Sequence, residues 1–89
     1  MKIKKGFVKQ QMGDTTVLVS AGQLSREFHG MIELNYTAAD IWNWLEQGNS
    51  QEQTALLLAE KYGIDPQKAA ADTAKIIEKM RQSGVIEDA

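Results

Sequence analysis

The sharpest change of hydrophobic rhythm in the chain falls at Asn35. In Ile32-Glu33-Leu34 a charge separates two apolar residues, the period-two pattern of a strand with one covered face. Past Asn35, Ala38, Ile41, Trp42 and Leu45 recur at three- and four-residue steps, which is the stripe of a helix. Thr37 is placed to cap that helix, and Asp40, three residues on, to complete a capping box. One short segment therefore carries the chain from a sheet into a helical layer.

The flanking pattern supplies the remaining elements. Residues 1–5 are Lys-rich and expected to fray, whereas Phe7–Met12 reads as a strand and Gly13-Asp14 as a tight turn. Thr15–Val19 is almost wholly β-branched and forms the second arm of the hairpin. Ser20–His29 is polar and irregular, an expected loop, and Met31–Leu34 is a third, antiparallel strand.

Three helices follow. The first is predicted over Ala38–Gln47, with Gly48 beyond its end. Ser50 and Gln53 form a capping box for a second helix running to Lys61 or Tyr62, with Ala55, Leu58, Ala59 and Tyr62 as its buried stripe. Gly63 stops that helix, and Asp65-Pro66 starts a third, ending near Ser83. Ala70, Ala74, Ile77 and Met80 are its expected core face. Ala69, Asp72, Thr73, Ile76 and Lys79 form a flank turned to one side, and Val85-Ile86 is an apolar tail able to pack back. The predicted fold class is α+β, winged helix-turn-helix-like: a three-stranded antiparallel sheet followed by a three-helix bundle.

Composition narrows the chemistry. The 89 residues suffice for one domain, residues 1–89. With no cysteine, disulfides and thiolate chemistry are excluded, and the lone His29 lacks partners for a zinc site. No cofactor motif, phosphate loop or Gly-x-Ser-x-Gly elbow occurs. Glu27, Glu33 and Asp72 carry no signature of acid–base catalysis, so the reading is not an enzyme. No apolar run approaches the roughly 18 residues of a membrane span and no signal peptide is visible, so a cytoplasmic protein is expected. Trp42 falls on the core stripe of the first helix, and Trp44, two residues on, must point elsewhere.

Two binding readings remain. The second and third helices could form the helix-turn-helix of a winged-helix DNA-binding transcription regulator. A formal net charge of -2 argues against a nucleic acid partner, as does a third helix opening on Asp65, Lys68 and Asp72 around three alanines. The other reading is a peptide-binding module. A sheet of three strands has edges, and an edge at Met31–Leu34 can accept an extended peptide as a further strand. Its side chains would enter a groove beside Ile76. An open edge also permits a strand-exchanged dimer as well as a monomer.

The ordered set Gly30 to Trp42, Leu45, Tyr62-Gly63-Ile64-Asp65, Ala70-Ala71-Asp72, Met80 and Gly84-Val85-Ile86 resembles the PqqD-like family. The likeness covers about residues 15–87. Where pyrroloquinoline quinone assembly proteins carry Pro-Glu-Gly, this chain has Gln23–Met31 instead. The resemblance implies three strands followed by three helices, and a recognition element for ribosomally made peptides that are later modified (a RiPP recognition element). Such proteins bind the precursor leader peptide as an added strand. They deliver it to a modifying enzyme such as a radical SAM enzyme, cyclase or protease. Carried onto this chain, the implied peptide site is Met31, Ile32, Glu33 and Leu34 on the strand and Ala69, Asp72, Thr73, Ile76 and Lys79 on the helix.

Overall fold

The computed structural model describes residues 2–4, 6–20 and 31–87. Its elements are β1 (Lys2–Ile3), β2 (Phe7–Met12), β3 (Thr15–Ser20), β4 (Met31–Leu34), α1 (Tyr36–Glu46), α2 (Gln51–Tyr62), α3 (Pro66–Gln82) and β5 (Ile86–Glu87). This is the expected order of an antiparallel sheet followed by three helices, with one addition, a ribbon of β1 and β5. Apart from Ser20, which ends β3, the expected loop lies outside the described residues, as does most of the segment standing in place of Pro-Glu-Gly.

The sheet has the order β2-β3-β4. The β2–β3 hairpin closes with Met12 opposite Thr15, and Gly13 supplies the positive φ, +63°, that the two-residue turn requires. On the central strand β3 both Val17 and Leu18 are buried, although they point to opposite faces. Leu18 joins the main core with Phe7, Leu34, Ile41, Trp42, Leu58, Ile77 and Val85, which ties the inner face of the sheet to all three helices.

Asn35, and not Thr37, caps α1: its side-chain oxygen accepts from the Ala38 amide at 2.8 Å. β4 ends at Leu34, so Asn35 is the first extended residue free to turn its short side chain onto the helix start. Asp40 is thereby released from the expected capping box. It receives both a Lys61 ammonium contact, 2.9 Å to each oxygen, and the Tyr62 hydroxyl. The result is a polar tie between α1 and α2. It also draws Tyr62 out of the expected core stripe, and Tyr62 is exposed while Thr54 is buried in its stead.

α2 has the expected capping box, with Ser50 accepting from the Gln53 amide and Gln53 accepting from the Ser50 amide. It ends on Gly63 at φ +63°, the left-handed residue that closes the helix. Asp65 caps α3 through the Gln67 amide at 2.7 Å, with Pro66 in the first turn. The buried stripe of α3 is Ala69, Thr73, Ile77 and Met80, while Ala70 and Ala74 face solvent. The two possible stripes differ only in their first half, and the packed one places a threonine where the apolar pattern favours alanine.

Val85 and Ile86 pack back on the core, as their composition suggests. They do so as part of a ribbon: Ile3 pairs with Ile86, and the Lys4 amide donates to the Val85 carbonyl at 2.7 Å. Residues 2–4 are therefore paired rather than frayed. Two strands of two residues carry too little sequence pattern to be read in advance.

Candidate functional site

β4 is the element on which the site is built. Among the described residues it pairs only with β3, so one side of its backbone has no strand partner. The register Thr16↔Leu34 and Leu18↔Ile32 puts Leu34 and Ile32 on the face shared with buried Leu18, toward the helices. Glu33, opposite Val17, falls on the other face.

Beside this edge runs a groove of about 330 Å³. Ile32, Glu33, Leu34 and Asn35 line its strand side, and Ile76, Lys79 and Met80 its helix side. Ala38, Gln82 and Ser83 contribute the rest. Ile32 and Ile76 are half-buried against the core, so each keeps apolar surface that a guest could cover. A second recess, of about 290 Å³, shares Glu33, Leu34 and Asn35 with the groove and adds Asp14, Thr15 and Tyr36. Tyr36, on the wall of this recess, is 74% exposed, unusual for an aromatic residue.

The structure brings together Ile32, Glu33, Leu34, Ile76 and Lys79 of the residues expected at the site. Met31 belongs to the edge through its backbone, paired with Val19. Ala69 and Thr73 do not belong: both are fully buried, at 0% exposure, in the stripe that packs on the core. Asp72 is not among the groove's lining residues, and it lies 3.8 Å from Lys68, one helical turn away. The groove thus follows the C-terminal half of α3. Extending the face of Ile76 forward in helical steps, through Lys79, Met80 and Ser83, finds it; extending it backward does not.

The charges on the two walls differ. Glu33 and Lys79 make no hydrogen bond or ion pair among the described residues. Elsewhere the polar tie on α1 and α2 perturbs its own members. The hydrogen bond to Asp40 holds the Lys61 ammonium above its ordinary pKa of 10.5 and the Tyr62 hydroxyl above its ordinary 10.0. The Lys61 ammonium also lies 5.9 Å from the ring centre of Trp44, the half-buried second tryptophan, which packs against the core. None of these residues lines the groove.

Among the described residues no three His, Cys, Asp or Glu side chains cluster to hold a metal ion. No described helix is long and apolar enough to cross a membrane. On α3, Lys68 faces Asp72 and Arg81 is bonded to Glu78 at 2.6 Å, which leaves few cations free for phosphate.

The sheet, the helix-turn-helix pair α2–α3 and the β4 edge, which has no second strand partner among the described residues, define an α+β, winged helix-turn-helix-like protein. The chain belongs to the PqqD family, described as Coenzyme PQQ synthesis protein D, whose pattern it matches over residues 15–86. Its fold is similar to that of TbiB1, solved in complex with the TbiA(beta) leader peptide, at a TM-score of 0.82 and 21% identity, covering 100% of this chain and 98% of that one. It is also similar to a lasso peptide synthetase B1 complexed with the leader peptide, at a TM-score of 0.79 and 23% identity, covering 98% of this chain and 96% of that one. At such identities the likeness is one of fold. No curated protein matches the chain in sequence.

Proposed function

We propose that this chain is a non-catalytic peptide chaperone. It binds the leader of a ribosomally synthesised precursor by strand addition to β4 and presents it to a modifying enzyme, such as a radical SAM enzyme, cyclase or protease. It acts in the cytoplasm, where such precursors are made, and residues 1–89 work as one domain. The observation that carries the reading is the strand edge of Met31–Leu34 without a partner among the described residues, set beside a partly apolar groove. Membership of the PqqD family and the two leader-bound neighbours of the same fold support it.

The energetics are adequate. A four-residue edge turns about half its backbone groups outward, enough for about four hydrogen bonds. At a net ~0.5–1.5 kcal/mol each, these give about 2–6 kcal/mol. Covering the half-exposed Ile32 and Ile76 adds about 1–3 kcal/mol more. The total approaches the roughly 8 kcal/mol of a micromolar complex.

The test is an amide NMR titration with synthetic leader peptides of ribosomally made precursors, with duplex DNA as the counter-titrant. Amides of residues 31–35 and 76–83 should shift together with the leader and stay unmoved by DNA. In parallel, Ile76→Asp should lower leader affinity at least about tenfold with the fold intact, because the new carboxylate is hydrated in the free protein and desolvated in the complex. Shifts confined to the chain ends, or full affinity in the variant, would remove the basis for the assignment.

A further inference from the structure

The groove has two faces, and they make different demands on a guest. Residues of an added strand alternate between the face of Ile32 and Leu34 and the face of Glu33. Those pointing inward meet Ile32, Ile76 and Met80, and therefore need to be apolar. Those pointing the other way stand opposite or diagonal to Glu33.

Among the described residues that second face carries no positive charge. Through the two registers, the residues sharing it with Glu33 are Val8, Gln10 and Met12 on β2 and Thr15, Val17 and Val19 on β3. Lys9, the one cation of the described hairpin, lies on the other face and bonds Asn43 at 2.9 Å. The recess next to Glu33 adds a second carboxylate, Asp14, and the exposed ring of Tyr36, and no Lys or Arg is among the described residues that line it. Lys79, the single cation among the described residues of the groove, sits on the inward side with Ile76 and Met80. A basic residue of the guest is therefore opposed where it points inward and invited where it stands opposite Glu33.

We infer, resting on the strand-addition reading above, that the guest is a peptide alternating apolar–basic–apolar, with the Lys or Arg paired across the strand to Glu33. Its side chain reaches toward Asp14 and the Tyr36 ring in the adjoining recess. Opposite charges directly across a strand attract, and a cation over an aromatic face adds to the pairing. The same carboxylate argues against a second copy of this chain as the occupant. Antiparallel pairing of two β4 edges centred on residue 33 would set Glu33 against Glu33, and like charges so placed repel.

The test uses a phage-displayed library of random linear peptides panned on the intact protein, with the enriched sequences then synthesised. Peptides that shift the β4 amides should carry Lys or Arg between two apolar residues. Glu33→Lys should weaken them by about tenfold, and exchanging the peptide's basic residue for Glu should restore the affinity for that variant. Glu33 is exposed at a strand edge, so an unchanged melting temperature and amide spectrum will show that the variant is folded. Peptides that move the β4 amides without basic enrichment, or whose affinity Glu33→Lys leaves unchanged, overturn this inference and leave strand addition standing. If no peptide moves those amides, or if the wild-type protein dimerises through β4, both readings fall.

Discussion

Replacing Thr73 by Val tests where the wall of the groove ends and the core begins. Thr73 is 0% exposed, and its Oγ1 has no hydrogen-bond partner. A threonine hydroxyl within a helix can bond back to a carbonyl one turn earlier, but this one does not. The hydroxyl is thus taken out of water without compensation, at a cost of about 1–3 kcal/mol. Valine has the same branched shape and nearly the same helix propensity, so the backbone terms cancel between the two residues. The exchange should stabilise the protein by about 1–2 kcal/mol, the lower part of that range, because some of the gain goes to repacking one methyl. For a chain of this size each kcal/mol moves the melting temperature by about 4–8 °C.

Thermal unfolding followed by circular dichroism, with a urea titration whose slope is unchanged, is the assay. Thr54 on α2 is likewise 0% exposed with an unpartnered hydroxyl, and Thr54→Val should behave in the same way. Leader binding by either variant should equal that of the wild type. A loss of stability in Thr73→Val would show that the hydroxyl has a partner. A loss of peptide affinity at full stability would return Thr73 to the groove and refute its placement in the core.

Other perturbations probe the rest of the fold. Ile77→Ala, at a site 1% exposed in the centre of α3, should cost about 2–5 kcal/mol by denaturant unfolding, whereas Ala70→Ser and Ala74→Ser on the exposed face should change little. The Asp40 tie predicts an alkaline effect, since Lys61 and Tyr62 both have folded pKa values raised above their ordinary 10.5 and 10.0. Stability from such groups is fully present below the ordinary values and is lost as pH rises through the raised ones. Melting temperature should fall more steeply above about pH 10 in the wild type than in Asp40→Asn; parallel curves would show that the tie contributes nothing.

How far the fold was legible depends on how much each element relies on local chemistry. The Ser50–Gln53 box, the Gly63 stop and the Asp65-Pro66 start satisfy their own helix ends, and all three are found where the pattern puts them. The hairpin turn at Gly13 and the strand Met31–Leu34 are equally local. What escaped was decided by partners distant in sequence. Asp40 reads as half of a capping box, yet Lys61 and Tyr62 offer it a cation and a hydroxyl from the next helix. Alanine is small enough to sit on either side of a helix surface, so Ala69 and Ala70 are nearly equivalent in pattern; only the packing of Thr73 between α3 and the core separates them. That one-residue rotation takes Ala69 and Thr73 out of the candidate groove, which keeps Ile76 and Lys79 in the second half of α3.

Rotation on α3 and register on β4 together fix what the groove can recognise. Ile32 and Leu34 face inward only because Leu18 and Thr16 stand opposite them. A slip of one residue would turn Glu33 toward Ile76 and Met80 and send both apolar side chains to the other face. The burial of Leu34, 5% exposed beside fully buried Leu18, opposes that slip, since Leu34 would leave a core position worth about 1.5–3 kcal/mol and a carboxylate would enter it unpaired. The core residues that hold the sheet on the helices therefore also keep the charge of the edge on one face and its apolar surface on the other. Selectivity for an alternating peptide then follows from the packing of the fold itself and needs no separately built pocket.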